Sequence, residues 1–159
     1  MALLSIGDQA PDITARRRDG STLQLSSLRG HYVLVYFYPK DDTPGCTAEA
    51  RALNHNLSAL TESGADVIGV STDSCDSHQR FAEKYGLEFA LASDRDHSIR
   101  ESYGVGKMMG ILPVTQRVSF LVGPDGRIVH LWPQVNAARH AADVLEEVRS
   151  RRAPGAAAG

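Results

Sequence analysis

A three-layer α/β domain on a mixed central sheet is the fold that this sequence predicts, and three observations carry the prediction. Two apolar runs, "HYVLVYFY" at 31–38 and "DVIGVST" at 66–72, have the β-branched and aromatic character of strands covered on both faces. Each is followed by a segment whose apolar residues recur at helical spacing. A late stretch, "RVSFLVGPDGRIVHLW", reads as two strands around the turn Pro124-Asp125-Gly126.

Taken in order, "DITARRRDGSTLQLSSL" predicts an N-terminal β-hairpin, because Ile13 and Ala15, then Leu23 and Leu25, alternate around Asp19-Gly20. The run at 31–38 stops at Pro39. Ala50, Leu53, Leu57 and Leu60 predict one helix over 46–63, and Gly64 supplies its stop. After the strand at 66–72, a helix over 74–85 places Phe81, Ala82 and Tyr85 on one face and ends at Gly86. A short strand, "EFAL", and a helical turn at 99–103 lead to the late hairpin. Asn136 is expected to cap a last helix over 137–150. The tail "RRAPGAAAG", 151–159, lacks apolar periodicity and is expected to be disordered. Residues 1–150 thus form one domain in this reading, with helices flanking a sheet in the thioredoxin-like manner. Fold alone does not specify a reaction.

The bulk properties narrow the classes of function. The 159 residues, 42% of them apolar, are enough for one core. Seventeen basic against nineteen acidic residues give a net charge of −2, which leaves no basic surplus for nucleic acid or an anionic membrane surface. No apolar run is long enough to span a bilayer, and "MALLSIGDQAPD" lacks the basic leader and long apolar centre of a signal peptide. A cytoplasmic protein is expected, where thiols stay reduced. Two cysteines there are no stapling framework, so a redox or catalytic thiol is the sharper reading.

One of the two, Cys46, stands behind a Thr-Pro-Gly turn in "YFYPKDDTPGCTAEARAL", at the head of the predicted helix. The positive end of a helix stabilises a thiolate over a thiol. Thr43 can bring a hydroxyl to the sulfur, the N–H groups of Gly45 and Cys46 face the same pocket, and Pro39 and Pro44 restrict the backbone and shield the site. The competing reading makes Cys46 a small buried hydrophobe and Thr43 a cap. No histidine shows metal-ligand spacing; those at 31, 55, 78, 97, 130 and 140 read as surface or packing residues, although Asp73, Cys75 and His78 lie close in sequence. Trp132 and the pair Met108-Met109 read as packing or a pocket wall.

Pro39, Thr43 and Cys46 form P-x-x-x-T-x-x-C, which resembles the active-site motif of the peroxiredoxins, enzymes that reduce hydroperoxides with a cysteine thiolate. The wider segment is similar to the branch called peroxiredoxin Q or bacterioferritin comigratory protein, and the similarity continues in "GDQAPD", "DGSTLQLSSLRG", "GVSTDSCDSHQRFAEKYGL", "RVSFLVGPDGRIV" and "HAADVLEEV", covering about 4–148. The resemblance implies a thiol peroxidase that needs no metal or other cofactor. By it, Cys46 is the attacking cysteine, Thr43 the residue that hydrogen-bonds thiolate and peroxide, Pro39 the shield, Arg117 the arginine that favours the thiolate and polarises the O–O bond, and Glu49 the acid that orients this arginine. It further implies a hydroperoxide substrate and thioredoxin or a similar thiol as reductant; a monomer or weak homodimer is expected.

The chain departs from that branch in two places. Many members carry a resolving cysteine five positions after the first, where this chain has Arg51. The other known arrangement puts the resolver at a position aligning near Ala82, and the second sulfur here is Cys75, on the same face of the same helix. Cys75 as resolver of an internal disulfide, Cys75 as part of a packed face with His78, Ala82 and Tyr85, and resolution by an external thiol all remain open. The segment between Gly110 and Arg117 is also longer than usual, which is expected to reshape the pocket rim. Two other classes compete: a redox-inactive interaction or holdase module, against which the full residue set speaks, and a thiol–disulfide oxidoreductase, whose C-x-x-C is missing because Glu49 stands three after Cys46.

Overall fold

In the computed structural model, which describes residues 3–106 and 117–152, the chain begins with a short hairpin. Strands β1 (Thr14–Arg16) and β2 (Thr22–Gln24) pair antiparallel with Ala15 opposite Leu23. The Leu25 amide still donates to the Ile13 carbonyl at 2.9 Å, and from there the chain enters a 3-10 turn, Leu25–Leu28. The rest follows as β3 (Tyr32–Phe37), α1 (Pro44–His55), α2 (Leu57–Glu62), β4 (Ala65–Ser71), α3 (Cys75–Tyr85), β5 (Ala90–Ser93), α4 (Ser98–Ser102), β6 (Val118–Val122), β7 (Ile128–Trp132) and α5 (His140–Arg152).

Among the described residues seven strands form one mixed sheet in the order β2-β1-β5-β4-β3-β6-β7. The central strands β3, β4 and β5 run parallel, while β6 and the two hairpins add antiparallel neighbours. Alternation along β3 divides the interior. Leu34 and Tyr36 enter a cluster with Leu53 of α1, Leu60 of α2, Phe81 of α3 and Val144 of α5. Val33, Val35 and Phe37 enter another, with Ile13, Tyr103 and Phe120. The same alternation on β6 turns Ser119 and Leu121 toward the helices and Val118 and Phe120 away, which fixes the face on which Arg117 emerges.

Three expectations change. The helix predicted over 46–63 is two helices. Asn56 turns its side chain back and donates from Nδ2 to the Ala52 carbonyl at 2.8 Å, which its own amide also reaches at 3.1 Å, and its backbone at φ −94° and ψ 5° caps the first helix there. Leu53 and Leu60 stay buried on either side, so the apolar spacing survives the break that it concealed. Asn136 does not cap the last helix: its Oδ1 accepts from the Ala138 amide in a turn, and α5 begins only at His140. That helix continues to Arg152, two residues into the segment expected to be disordered. Met108-Met109 and the long 110–116 stretch lie outside the described residues. Trp132 is a partly buried packing residue, edge-on to His140 at 5.4 Å.

A glycine in the middle of β4 has a packing reason. A Cβ on Gly69 would stand 2.9 Å from both Leu91 and the Tyr36 ring, and that ring stacks on Tyr38 with centroids 5.3 Å apart. Gly69→Ala should therefore lower the unfolding free energy by about 1–3 kcal/mol, read from the denaturant midpoint at unchanged m-value. An unchanged midpoint would show that the tyrosine pair yields freely.

Candidate active site

The site is built where β3 runs out. Tyr38 is still buried, Pro39 halts the ladder, and the chain turns through Asp42, which takes a left-handed φ of 58°. Thr43 is the extended N-cap of α1, Pro44 its first residue, and Cys46 its third. That start places the Cys46 sulfur at the positive end of α1, buried to 1% exposure.

Arg117 reaches this sulfur from across the sheet. It precedes β6, whose Val118 pairs with Phe37 at the end of β3, so the strand register delivers the guanidinium beside the head of α1. Its Nη2 donates to Cys46 Sγ at 3.5 Å and its Nη1 to Glu49 Oε1 at 2.8 Å. Burial opposes the charge on Arg117, but the neighbouring Cys46 and Glu49 outweigh it and hold the group above its ordinary pKa. Glu49 is buried to 1%, and this pushes its carboxyl up to about 7 although Arg117 pulls the other way. Its second oxygen, Oε2, is buried without a hydrogen-bond partner. Gly45 makes the approach possible, since a Cβ there would lie 3.1 Å from Arg117 Nη2.

Of the residues expected in the site, Cys46, Glu49 and Arg117 therefore come together. Thr43 is adjacent, but its hydroxyl donates to the Lys40 carbonyl at 2.9 Å, so toward a bound molecule its oxygen is an acceptor. Pro39 is half-buried at the loop entrance. Cys75 stands apart: it is the exposed first residue of α3, beside a groove lined by Arg16, Arg17, Arg18 and Gln79, and both cysteines are free thiols. His78 and Ala82 are buried while Cys75 is not, which removes Cys75 from the packed face proposed for it.

Sequence reasoning missed a buried network behind the site. Asp41 accepts from the Tyr38 hydroxyl at 2.6 Å, from Ser77 Oγ at 2.8 Å and pairs with His78 Nδ1 at 2.7 Å. Its amide donates to Asp73 Oδ2 at 2.8 Å, and Ser71 Oγ donates to the same oxygen. His78 is thus a buried polar link, since its partners, 37 and 14 positions away at Asp41 and Ala92, meet only in the fold. Spacing could not show this; the available signal was two acidic residues between a strand-ending proline and a helix-opening one.

A thiol held at a helix N-terminus by an arginine and a buried acid, on a thioredoxin-like sheet, defines the class of thiol-dependent peroxidases. The model of the AhpC/TSA family matches residues 6–131. A protein of Coxiella burnetii named putative peroxiredoxin bcp is 41% identical over 89% of this chain and 97% of its own length. Peroxiredoxin Bcp of Bacillus subtilis is 37% identical over 92% and 96%. Among solved structures, Xylella fastidiosa PrxQ superposes with a TM-score of 0.85 at 32% identity, covering 95% of this chain and 99% of that one. The Xanthomonas campestris bacterioferritin comigratory protein does so at 0.82 and 35%, covering 96% and 99%. The chain belongs to the AhpC/TSA family, in the Bcp and peroxiredoxin Q branch, and is a thiol-dependent peroxidase.

Two buried groups give the stability of this fold opposing pH dependences. Glu49, raised from 4.5 to about 7, contributes stability that is complete below 4.5 and lost as pH rises through 7. His140, whose Nε2 meets Ser119 Oγ at 2.8 Å, is lowered by burial from 6.5 to about 4; its contribution is complete above 6.5 and lost as pH falls through 4. Glu49→Gln removes the first and keeps the second. The stability of that variant relative to wild type should grow between pH 4.5 and 7, by up to about 3 kcal/mol. A pH-independent difference in denaturant titrations would show that Glu49 ionises as in water.

Proposed function

We propose that Cys46 is the attacking cysteine of a hydroperoxide reductase. The observation that supports this best is the forked contact of Arg117 with the Cys46 sulfur and Glu49. In this reading the Cys46 thiolate attacks the terminal peroxide oxygen. An S–O bond forms as the O–O bond breaks, and the departing alkoxide or hydroxide takes up a proton to leave as alcohol or water. Arg117 and the amides at the head of α1 stabilise the charge gathering on the leaving oxygen. The Thr43 oxygen, its own proton held by Lys40, accepts from the peroxide O–H and orients it. Pro39 shields the sulfur from bulk water. The Xanthomonas protein was studied for alkyl peroxide reduction, and organic hydroperoxides together with hydrogen peroxide are the substrates proposed here.

Cys46 is left as a sulfenic acid, and Cys75 is the proposed resolver. Its exposure at the start of α3 leaves it open to a Cys46 sulfur brought out of the folded site and to thioredoxin, the proposed reductant of the resulting disulfide. Two free thiols fit a reducing cytoplasm, and among the described residues no helix is long and apolar enough to cross a membrane. Ile6 is the large hydrophobic side chain left exposed among those residues, which suits a monomer or weak homodimer.

Cys46→Ser should abolish peroxide reduction, because a serine hydroxyl stays protonated at this position. Coupled peroxidase assays showing more than a trace of turnover would overturn the assignment. Cys75→Ser should oxidise at Cys46 as fast as wild type, then stop after one turnover with thioredoxin while sulfenic and over-oxidised forms accumulate in the mass spectrum. Normal turnover in this variant, or no 46–75 linkage in non-reducing peptide maps of the oxidised wild type, would assign resolution to an external thiol.

A further inference from the structure

The 39–43 loop carries two successive aspartates, and each is tied to a different end of α3. Asp41 holds Ser77 and His78 in the first turns of that helix. Asp42 accepts from Lys84 Nζ at 2.8 Å and from the Tyr85 hydroxyl at 2.6 Å in its last turn. The left-handed backbone of Asp42 separates the two side chains, one buried and the other exposed. His78 also places Nε2 3.1 Å from the Ala92 carbonyl of β5, so the start of α3 is fixed to the sheet as well as to the loop. Arg51 of α1 lies 6.0 Å above the Tyr85 ring, which adds the body of α1 to the same assembly.

We propose that Asp41 and Asp42 are positioning residues for the resolving step: they clasp the loop ahead of Cys46 to the helix that begins with Cys75, and so set how the sulfenic acid divides between disulfide formation and further oxidation. The proposal rests on Cys75 as resolver. In that step the Cys75 thiolate attacks the Cys46 sulfenic sulfur, the S–S bond forms as the S–O bond breaks, and hydroxide leaves to be protonated to water. The Cys46 sulfur is 1% exposed in the folded site, whereas a disulfide needs the two Cα atoms within about 7 Å and both sulfurs free to align. Any displacement that brings Cys46 out moves Thr43, and Asp42 and Asp41 precede it directly. The exposed half of the clasp, at Asp42, therefore opposes the motion that resolution requires, while the buried half, at Asp41, keeps Thr43 and Cys46 in place for the first attack. Resolution competes with a second peroxide for the same sulfenic acid, so a tighter clasp favours over-oxidation.

The exposed half of the clasp can be loosened without touching the sulfur or the buried half. Tyr85→Phe, which keeps the ring beneath Arg51, and Lys84→Ala should leave the rate of Cys46 oxidation unchanged in rapid-quench mass spectrometry. Each should speed formation of the 46–75 disulfide about three- to ten-fold and reduce over-oxidation at high peroxide in proportion, with amide exchange across 43–49 rising by a similar factor. Lys84→Arg, which restores the contact with Asp42, should return all three to wild type. Unchanged disulfide formation, or slowing of both chemical steps together, would overturn the clasp and leave these residues as packing. If the wild type forms no 46–75 linkage, the reading of Cys75 fails separately; the clasp is then judged on exchange across 43–49, and unchanged exchange in both variants overturns it.

Discussion

The forked contact of Arg117 is the constraint around which the rest of the site is arranged. A thiolate at Cys46 and a carboxylate at Glu49 would lie one helical turn apart in a buried place, where their repulsion is weakly screened. One half-buried guanidinium between them makes that juxtaposition tolerable. Without it, Glu49 would be driven to its neutral form and a thiolate at Cys46 would be left uncompensated, a situation that in broken buried pairs costs about 3–5 kcal/mol. The fork depends in turn on the sheet. Arg117 has no helix to hold it; it takes its direction from the pairing of Val118 with Phe37, and a slip of one residue would send it to the opposite face.

Below the fork lies an aromatic floor that is rigid for a simple reason. Tyr36 and Tyr38, on the helix-covered side of β3, stack on one another, and Tyr36 also meets the edge of Phe89. Burial, and then the negative charges of Glu49 and Cys46, hold the Tyr36 phenol well above its ordinary pKa, so it contributes a neutral hydroxyl rather than a third anion. The Tyr38 hydroxyl donates a hydrogen bond to Asp41, which links the floor to the loop that precedes Cys46.

Much of this was legible before the fold was known, and the legible parts share a cause. The strands at 31–38 and 66–72 could be read because a doubly covered strand must be apolar along its whole length. The helix at 74–85 could be read because Phe81, Ala82 and Tyr85 share a face and Gly86 marks its end, where it adopts φ 63°; the structure adds Ser74 as its cap, whose Oγ accepts from the Ser77 amide. Cys46 stood out through its motif with Pro39 and Thr43, and Glu49 and Arg117 through the family resemblance; the structure brings Cys46, Glu49 and Arg117 into contact. What could not be read involved competition between local and distant bonds. Nothing in the spacing of Leu53 and Leu60 shows that Asn56 satisfies the Ala52 carbonyl with its own side chain. Nothing near Asp41 announces His78, because the two are brought together by a strand, two helices and a crossover.

That interruption at Asn56 gives the first helix a mechanical character of its own. Because α1 stops at His55 and α2 starts afresh at Leu57, the backbone between Cys46 and β4 is carried by two short helices rather than one long one. The first spans 12 residues, and the second is anchored separately by the buried Leu60, so fraying at the head of the first breaks none of the contacts that hold the second. Rearrangement of the segment that carries Cys46 is in this way insulated from the strand that builds the centre of the sheet, and the molecule can loosen at one corner while its frame stays assembled.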